Sequence, residues 1–170
     1  MPFGPGVSNG VGGGGGASTA KDIVADFAGW NDFVMTGVGG LPANGAGWQS
    51  SMVANPLKKP SALLLISLVP AVIPTAGQIY EVFLIRSDGA SRTDNAAAAA
   101  GALTVQNARM IGALQVTATL GPFTDVFDVA GLGPLGSEFG IAVRNSTNQA
   151  LGAIGTLKFR YNLYGSEISA

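Results

Sequence analysis

The clearest signal in the chain is a strict alternation of apolar and polar side chains near its C-terminus. Leu157, Phe159, Tyr161 and Leu163 alternate with Lys158, Arg160 and Asn162, the period of a strand with one face on a core. Phe139, Ile141 and Val143 alternate with Glu138, Gly140, Ala142 and Arg144 in the same way. Over Met110–Leu120 the pattern places Leu114, Val116, Ala118 and Leu120 inward and Gln115, Thr117 and Thr119 outward. Two earlier runs are apolar on both faces. Leu63–Val69 is one; in Ile79–Arg86, Ile79, Phe83 and Ile85 share one side and Tyr80, Val82 and Leu84 the other. A strand of that kind is covered twice, by its own second sheet and by something else.

Trp48–Val53 reads as a further short strand. In Asp22–Met35, Ile23, Phe27, Trp30 and Val34 fall at helical spacing while Phe33-Val34-Met35-Thr36 looks extended, which predicts a helical turn or loop and then a strand. Gly37–Gly47 predicts a long loop, and Ser87-Asp88-Gly89, Gly121-Pro122, Gly131–Gly136 and Asn145–Asn148 predict turns. Ala96–Ala100, between Asp94 and Gly101, fits one capped helical turn. Seven to nine strands, mostly after residue 45, joined by Gly- and Pro-rich links predict an all-β fold, an antiparallel β-sandwich or barrel. Residues 1–20 hold eight glycines and no charge. Too little apolar surface is available there to offset the entropy of ordering, so the expected organisation is a flexible N-terminal arm, 1–20, and a single sandwich domain, 21–170.

Composition narrows the function. Only 19 of 170 residues are charged, 9 basic and 10 acidic, or 11% against about 25% in an average soluble domain. The net charge of −1 removes the attraction to a phosphate backbone, so no nucleic-acid partner is expected. The absence of Cys and His excludes disulfides, thiolate nucleophiles, Ser-His-Asp catalysis and imidazole metal sites. The longest apolar stretch, Ala62–Ile73, contains Ser67 and Pro70 and is shorter than the ~20 residues of a spanning helix, so no membrane partner is expected. No basic residue precedes an apolar segment at the N-terminus, as a secretory signal requires. A surface this poor in charge tends to associate, and neighbouring subunits are the simplest cover for it.

Few side chains remain for chemistry. Gly10-x-Gly12-x-x-Gly15 matches a dinucleotide fingerprint only as any polyglycine run does, with no strand before it. Asp88 with Asp94, and Asp125 with Asp128, are loop aspartates on this reading, more suited to bonding turn N–H groups than to paired acid–base work. Asp88, Asp94 and Asn95 lack the spacing of a calcium loop. Trp30, Trp48, Tyr161 and Tyr164 suit either a sugar-stacking platform or a core or subunit interface, the commoner use of large aromatics. Asn145-Ser146-Thr147 matches a glycosylation acceptor without the secretory context. Arg86, Arg92, Arg109, Arg144 and Arg160 are too scattered for a basic stripe and suit loop-bracing ion pairs. No catalytic residue, cofactor or metal is expected.

Two phrases carry a resemblance. Tyr80-Glu81-Val82-Phe83-Leu84-Ile85-Arg86-Ser87-Asp88-Gly89 with Arg92-Thr93-Asp94-Asn95 is the first; the second runs from Gly133-Pro134-Leu135-Gly136-Ser137 through Glu138–Arg144 to Asn145-Ser146-Thr147. Over roughly residues 60–165 the chain resembles small β-sandwich virion structural proteins of tailed bacteriophages, of the capsid decoration or cement type. The resemblance implies a jelly-roll-like sandwich and a homo-oligomer, often a trimer, seated on major capsid protein. It also implies assembly in the host cytoplasm, location in the virion, and no active site. The expected function is capsid decoration and cementing, with Phe3, Val7, Val11, Trp30 and Trp48 as candidate partner-binding residues. Neck, tail or fibre-attachment protein is the alternative, and a carbohydrate-binding sandwich the second.

Overall fold

The structure, a computed structural model, describes residues 29–35, 40–88, 101–102, 108–153 and 156–165. The polyglycine run, Phe3, Val7, Val11, Arg92, Asp94 and the Ala96–Ala100 turn lie outside them. Ten strands are present among the described residues: β1 (Asn31–Asp32), β2 (Ala46–Gln49), β3 (Val53–Ala54), β4 (Ser61–Leu68), β5 (Ile79–Ser87), β6 (Gly101–Ala102), β7 (Arg109–Gln115), β8 (Phe123–Asp128), β9 (Glu138–Asn145) and β10 (Lys158–Tyr164). One sheet has the order β1-β10-β4-β8 and the other β6-β2-β9-β5-β7, with β3 also paired to β9; every strand pair is antiparallel. The protein is an all-β antiparallel sandwich, as the alternating patterns predict.

The alternation decides what the sheets enclose. Ala62, Leu64, Ile66 and Leu68 of β4 meet Tyr80, Val82 and Leu84 of β5, Phe139, Ile141 and Val143 of β9, and Phe159 of β10 in one core. The second apolar face of β5 is buried too. Phe83 and Ile85 form a separate cluster with Ala142 of β9, against which Met52 and Ala108 pack. The two lateral openings of the sandwich are closed differently. On one side Phe33 leaves β1, packs against Phe139 and Tyr161 with centroids 5.9 and 4.9 Å away, and so bridges both sheets. On the other, the Phe127 ring of β8 lies over Gly112 of β7.

Three expectations are corrected. The strand expected at Phe33–Met35 lies instead at Asn31–Asp32, because Phe33 and Met35 turn into the core. Trp48–Val53 is not one strand. Ser50 interrupts it by offering its own Oγ to the Ile141 N–H at 3.0 Å, and the chain resumes pairing at Val53. The Met110–Leu120 strand ends at Gln115; Val116 stays buried, but Ala118 and Leu120 face solvent where Thr117–Leu120 turns out of the sheet.

Candidate functional site

The sandwich has two ends, and they differ in chemistry. At one end the described parts of the connections are residues 40–45, 70–78, 116–122, and 146–153 with 156–157, and none of these contains an Asp, Glu, Lys or Arg. Lys58, Lys59, Asp88, Arg109, Asp128 and Glu138 lie at the opposite end or at the strand termini that reach it, while Lys158, the exposed first residue of β10 opposite Ser67, is the one charge at a described strand terminus bordering the uncharged connections. Val72, Ile73 and Leu120 project from the uncharged end with 58, 52 and 50% of their surface exposed.

That end is a tied platform. Leu151 N–H donates to Leu41 O at 3.0 Å, Gly152 N–H to Val69 O at 2.7 Å and Ala71 N–H to Ala150 O at 2.8 Å. Val116 and the 77–78 turn exchange two backbone bonds of 2.9 Å. Asn148 pins the loop bearing Ile73 from the side: its Nδ2 donates to Thr75 Oγ1 at 2.9 Å and its Oδ1 accepts from Thr75 N–H at 3.1 Å. Beneath them Leu41, Leu68 and Leu151 are fully buried, so the exposed apolar tips stand on core.

Asn145 is the keystone. It is completely buried at the end of β9, where a polar side chain is costly unless every hydrogen-bonding group is used. Its Nδ2 donates to the carbonyls of Leu41, Pro42 and Gln149 at 3.2, 3.0 and 2.8 Å, and its Oδ1 accepts from Thr147 N–H and Oγ1–H at 3.1 and 2.8 Å. One amide therefore joins two of the four connections. With that amide consumed and enclosed, the Asn-Ser-Thr match presents no acceptor to a glycan.

Just inside the uncharged end, Glu81 and Arg144 neutralise each other. Arg144 Nε and Nη2 donate to the two Glu81 oxygens at 2.6 Å each, and Ser146 Oγ–H adds a third bond at 2.6 Å. The Arg144 hydrogen bonds hold the Glu81 carboxyl below its ordinary value, against the opposing effect of partial burial. Arg144 also lies 5.5 Å from the Phe83 ring centroid, in cation–π range.

The sequence-selected residues divide as follows. Trp30 is partly exposed beside β1. Trp48 is enclosed in the core, paired across from Val143, so its indole offers no surface to a partner or a sugar; its alternation with Ala46 on β2 drives it inward. Tyr161 is committed to the Phe33 and Phe139 rings, and Tyr164 donates to Asp128, so the four aromatics form no common platform. Asp125 and Asp128 are on strand β8 rather than in a loop. Asp125 Oδ1 accepts from Val126 N–H at 2.7 Å, and Asp128 Oδ1 from Ala130 N–H at 2.9 Å. Among the described residues no three acidic side chains gather into a metal-binding group, and no helix is long and apolar enough to cross a membrane. The uncharged end is not among the residues selected from the sequence: its uncharged stretches are visible there, but only the fold brings them to one end. Comparison with family models, curated proteins and solved structures found no match to the chain.

Proposed function

We propose that the chain is a virion structural protein, a capsid decoration or cement protein, that seats its uncharged end on the capsid lattice and turns its charged end to solvent. The observation that carries this reading is the uncharged platform bearing Val72, Ile73 and Leu120. Covering half-exposed side chains of that size contributes roughly 1 kcal/mol each, which is weak for one copy and strong across a repeated lattice. The connections that form this contact bring no ion of this chain out of water.

The winding supports the same reading. With the two-residue β3 and β6 set aside, eight strands remain, and they pair first with last (β1-β10), second with seventh (β2-β9), third with sixth (β4-β8) and fourth with fifth (β5-β7). That nesting is the order of a jelly roll, an architecture used by viral capsid domains, lectins and cupins. The sequence has no His for a cupin metal site, and Trp48 is withdrawn from any sugar platform. In this reading the protein is a homo-oligomer, often a trimer in proteins of the kind it resembles, and Phe3, Val7 and Val11 anchor the glycine-rich arm on a neighbouring subunit.

The test is the particle itself. Purified virions should carry hundreds of copies on the outer shell. Particles assembled without the protein should rupture at lower temperature, and added protein should restore their resistance. Presence in only a dozen copies at one vertex would replace this reading with the neck or tail alternative, and absence from the particle would end both.

A further inference from the structure

A second feature lies on the outer face of the four-stranded sheet. β4 is apolar on both sides: Leu64 and Ile66 fill the core, while Leu63 and Leu65 point the other way, half-buried and part of neither buried cluster. β5 has the same double pattern, but there Met52 and Ala108 pack on the second side. Val126 of β8 stands directly beside Leu65, 47% exposed, and widens the patch.

The strand register sets out the charges around the patch. Three rows cross the face from β10 over β4 to β8: Lys158-Ser67-Thr124, Arg160-Leu65-Val126 and Asn162-Leu63-Asp128. The β10 flank is basic, with Lys158 exposed and Arg160 shared with Asp32 of β1 at 2.8 Å. The β8 flank is acidic, with Asp128 exposed and no base in Phe123–Asp128. The outer edge of β8 does not suit strand addition, because Asp125 faces inward there and a second β8 alongside would set acid against acid.

We propose that this face packs against the same face of a second copy, about a two-fold axis parallel to the strands and centred on β4. The proposal deepens the homo-oligomer reading above and rests on it for the partner; the sheet supplies the face. An axis along the strands lays the β10 flank of each copy over the β8 flank of the other, basic over acidic, with Leu63, Leu65 and Val126 between. It stacks Lys158 on Thr124 of the second copy and Arg160 on Val126, within reach of Asp128. An axis across the strands would instead set basic on basic and acidic on acidic. Aligned packing is one of the two common arrangements of facing sheets. The same axis points both uncharged ends one way, so the pair can seat on a single surface. Three strands wide and six residues long, about 14 by 20 Å, the face is small beside the roughly 800 Å² that each partner gives to a standard interface, so the dimer is weak.

Sedimentation equilibrium of the full chain should show monomer and dimer with a dissociation constant of about 1 μM to 1 mM. Val126→Lys, an exposed change that faces Arg160 of the second copy, should weaken the dimer at least fivefold and leave the melting temperature unchanged. Thr124→Glu and Thr124→Lys both lose the Thr124 hydroxyl bond to Ser67 at 2.7 Å, so they differ only in the charge set over Lys158. The first should tighten the dimer about threefold and the second should weaken it by as much. In the Lys158→Glu background that order should reverse. Weakening by both Thr124 variants would place β8 over β8 and overturn the axis. No response to Val126→Lys would overturn the face. A trimer, or a chain still monomeric at about 1 mM, would overturn the two-fold contact; the virion reading is decided separately, by the copy count in particles.

Discussion

Glu81 and Arg144 are direct cross-strand partners on β5 and β9, joined by two 2.6 Å hydrogen bonds that use both carboxylate oxygens. The pair sits immediately below the uncharged end, with Tyr80 and Asn145 as the next pair outward. Here the nearest charges of the six-stranded sheet are spent on each other rather than on a partner. Because the Glu81 carboxyl is depressed in the folded chain, its stabilisation is fully present above the unfolded carboxylate value. It is lost as pH falls through the lower folded value.

Glu81→Gln should therefore cost about 1–2 kcal/mol at pH 7, a modest sum because Arg144 is one-third exposed. It should also flatten the fall in stability below about pH 4.5, where an unfolded glutamate begins to protonate. Denaturant unfolding at pH 7 and at pH 3.5 measures both. A variant as stable as the parent at pH 7, with the same acid limb, would remove this pair from the account.

Asn145→Ala should be among the more damaging single changes, at about 2–3 kcal/mol, because the Pro42 carbonyl and the Thr147 N–H lose their partner in the interior, while the Leu41 and Gln149 carbonyls keep the bonds from Leu151 N–H and Thr147 Oγ1–H. Asn145→Asp should be little better, since a carboxylate donates nothing to those carbonyls. Hydrogen exchange should show protection lost first at Leu151 and Asn44, whose amides bond across the connections that Asn145 joins. Loss confined to the opposite end would contradict that role.

A Cβ at Gly112 would stand 2.3 Å from the Phe127 ring, so Gly112→Ala must push that ring aside. The expected cost is about 1–3 kcal/mol. The double variant Gly112→Ala/Phe127→Leu should recover part of it, and a double-mutant cycle reads the coupling. Strict additivity would mean that the ring does not close this side of the sandwich.

Much of the sandwich was legible because its strands bury one face and the period of two is written into the sequence, as at Phe139–Arg144 and Phe159–Leu163. The doubly apolar β5 was legible for the same reason, and both its faces are buried. What failed lay at edges. β8 reads Phe-Thr-Asp-Val-Phe-Asp, and the edge position lets Asp125 take an inward register opposite Ile66 and still reach water, which breaks the pattern. Ala118 and Leu120 continue the β7 alternation in sequence after the backbone has left the sheet. The large aromatics invite an interface reading because burial and binding use the same residues; only the register of Trp48 against Val143 separates them. The uncharged end was illegible for a different reason. It is assembled from four separate connections, and no local window reveals that they share one end.

If the lattice contact is made by neutral side chains, its affinity should hardly respond to salt. Between 50 mM and 500 mM sodium chloride the dissociation constant for undecorated particles should change less than about twofold, since exposed ion pairs are what screening weakens. A tenfold loss would place the contact on the charged end instead.

The most direct measurement compares occupancy of protein-free particles by two variants with matched changes at opposite ends. Ile73→Asp/Leu120→Asp puts charge on the platform at exposed positions where folding should be unaffected, and occupancy should fall at least tenfold. Lys58→Glu/Lys59→Glu alters the other end and should occupy particles as the parent does. Full occupancy by the first variant, or loss with the second alone, would contradict the orientation on which the account rests.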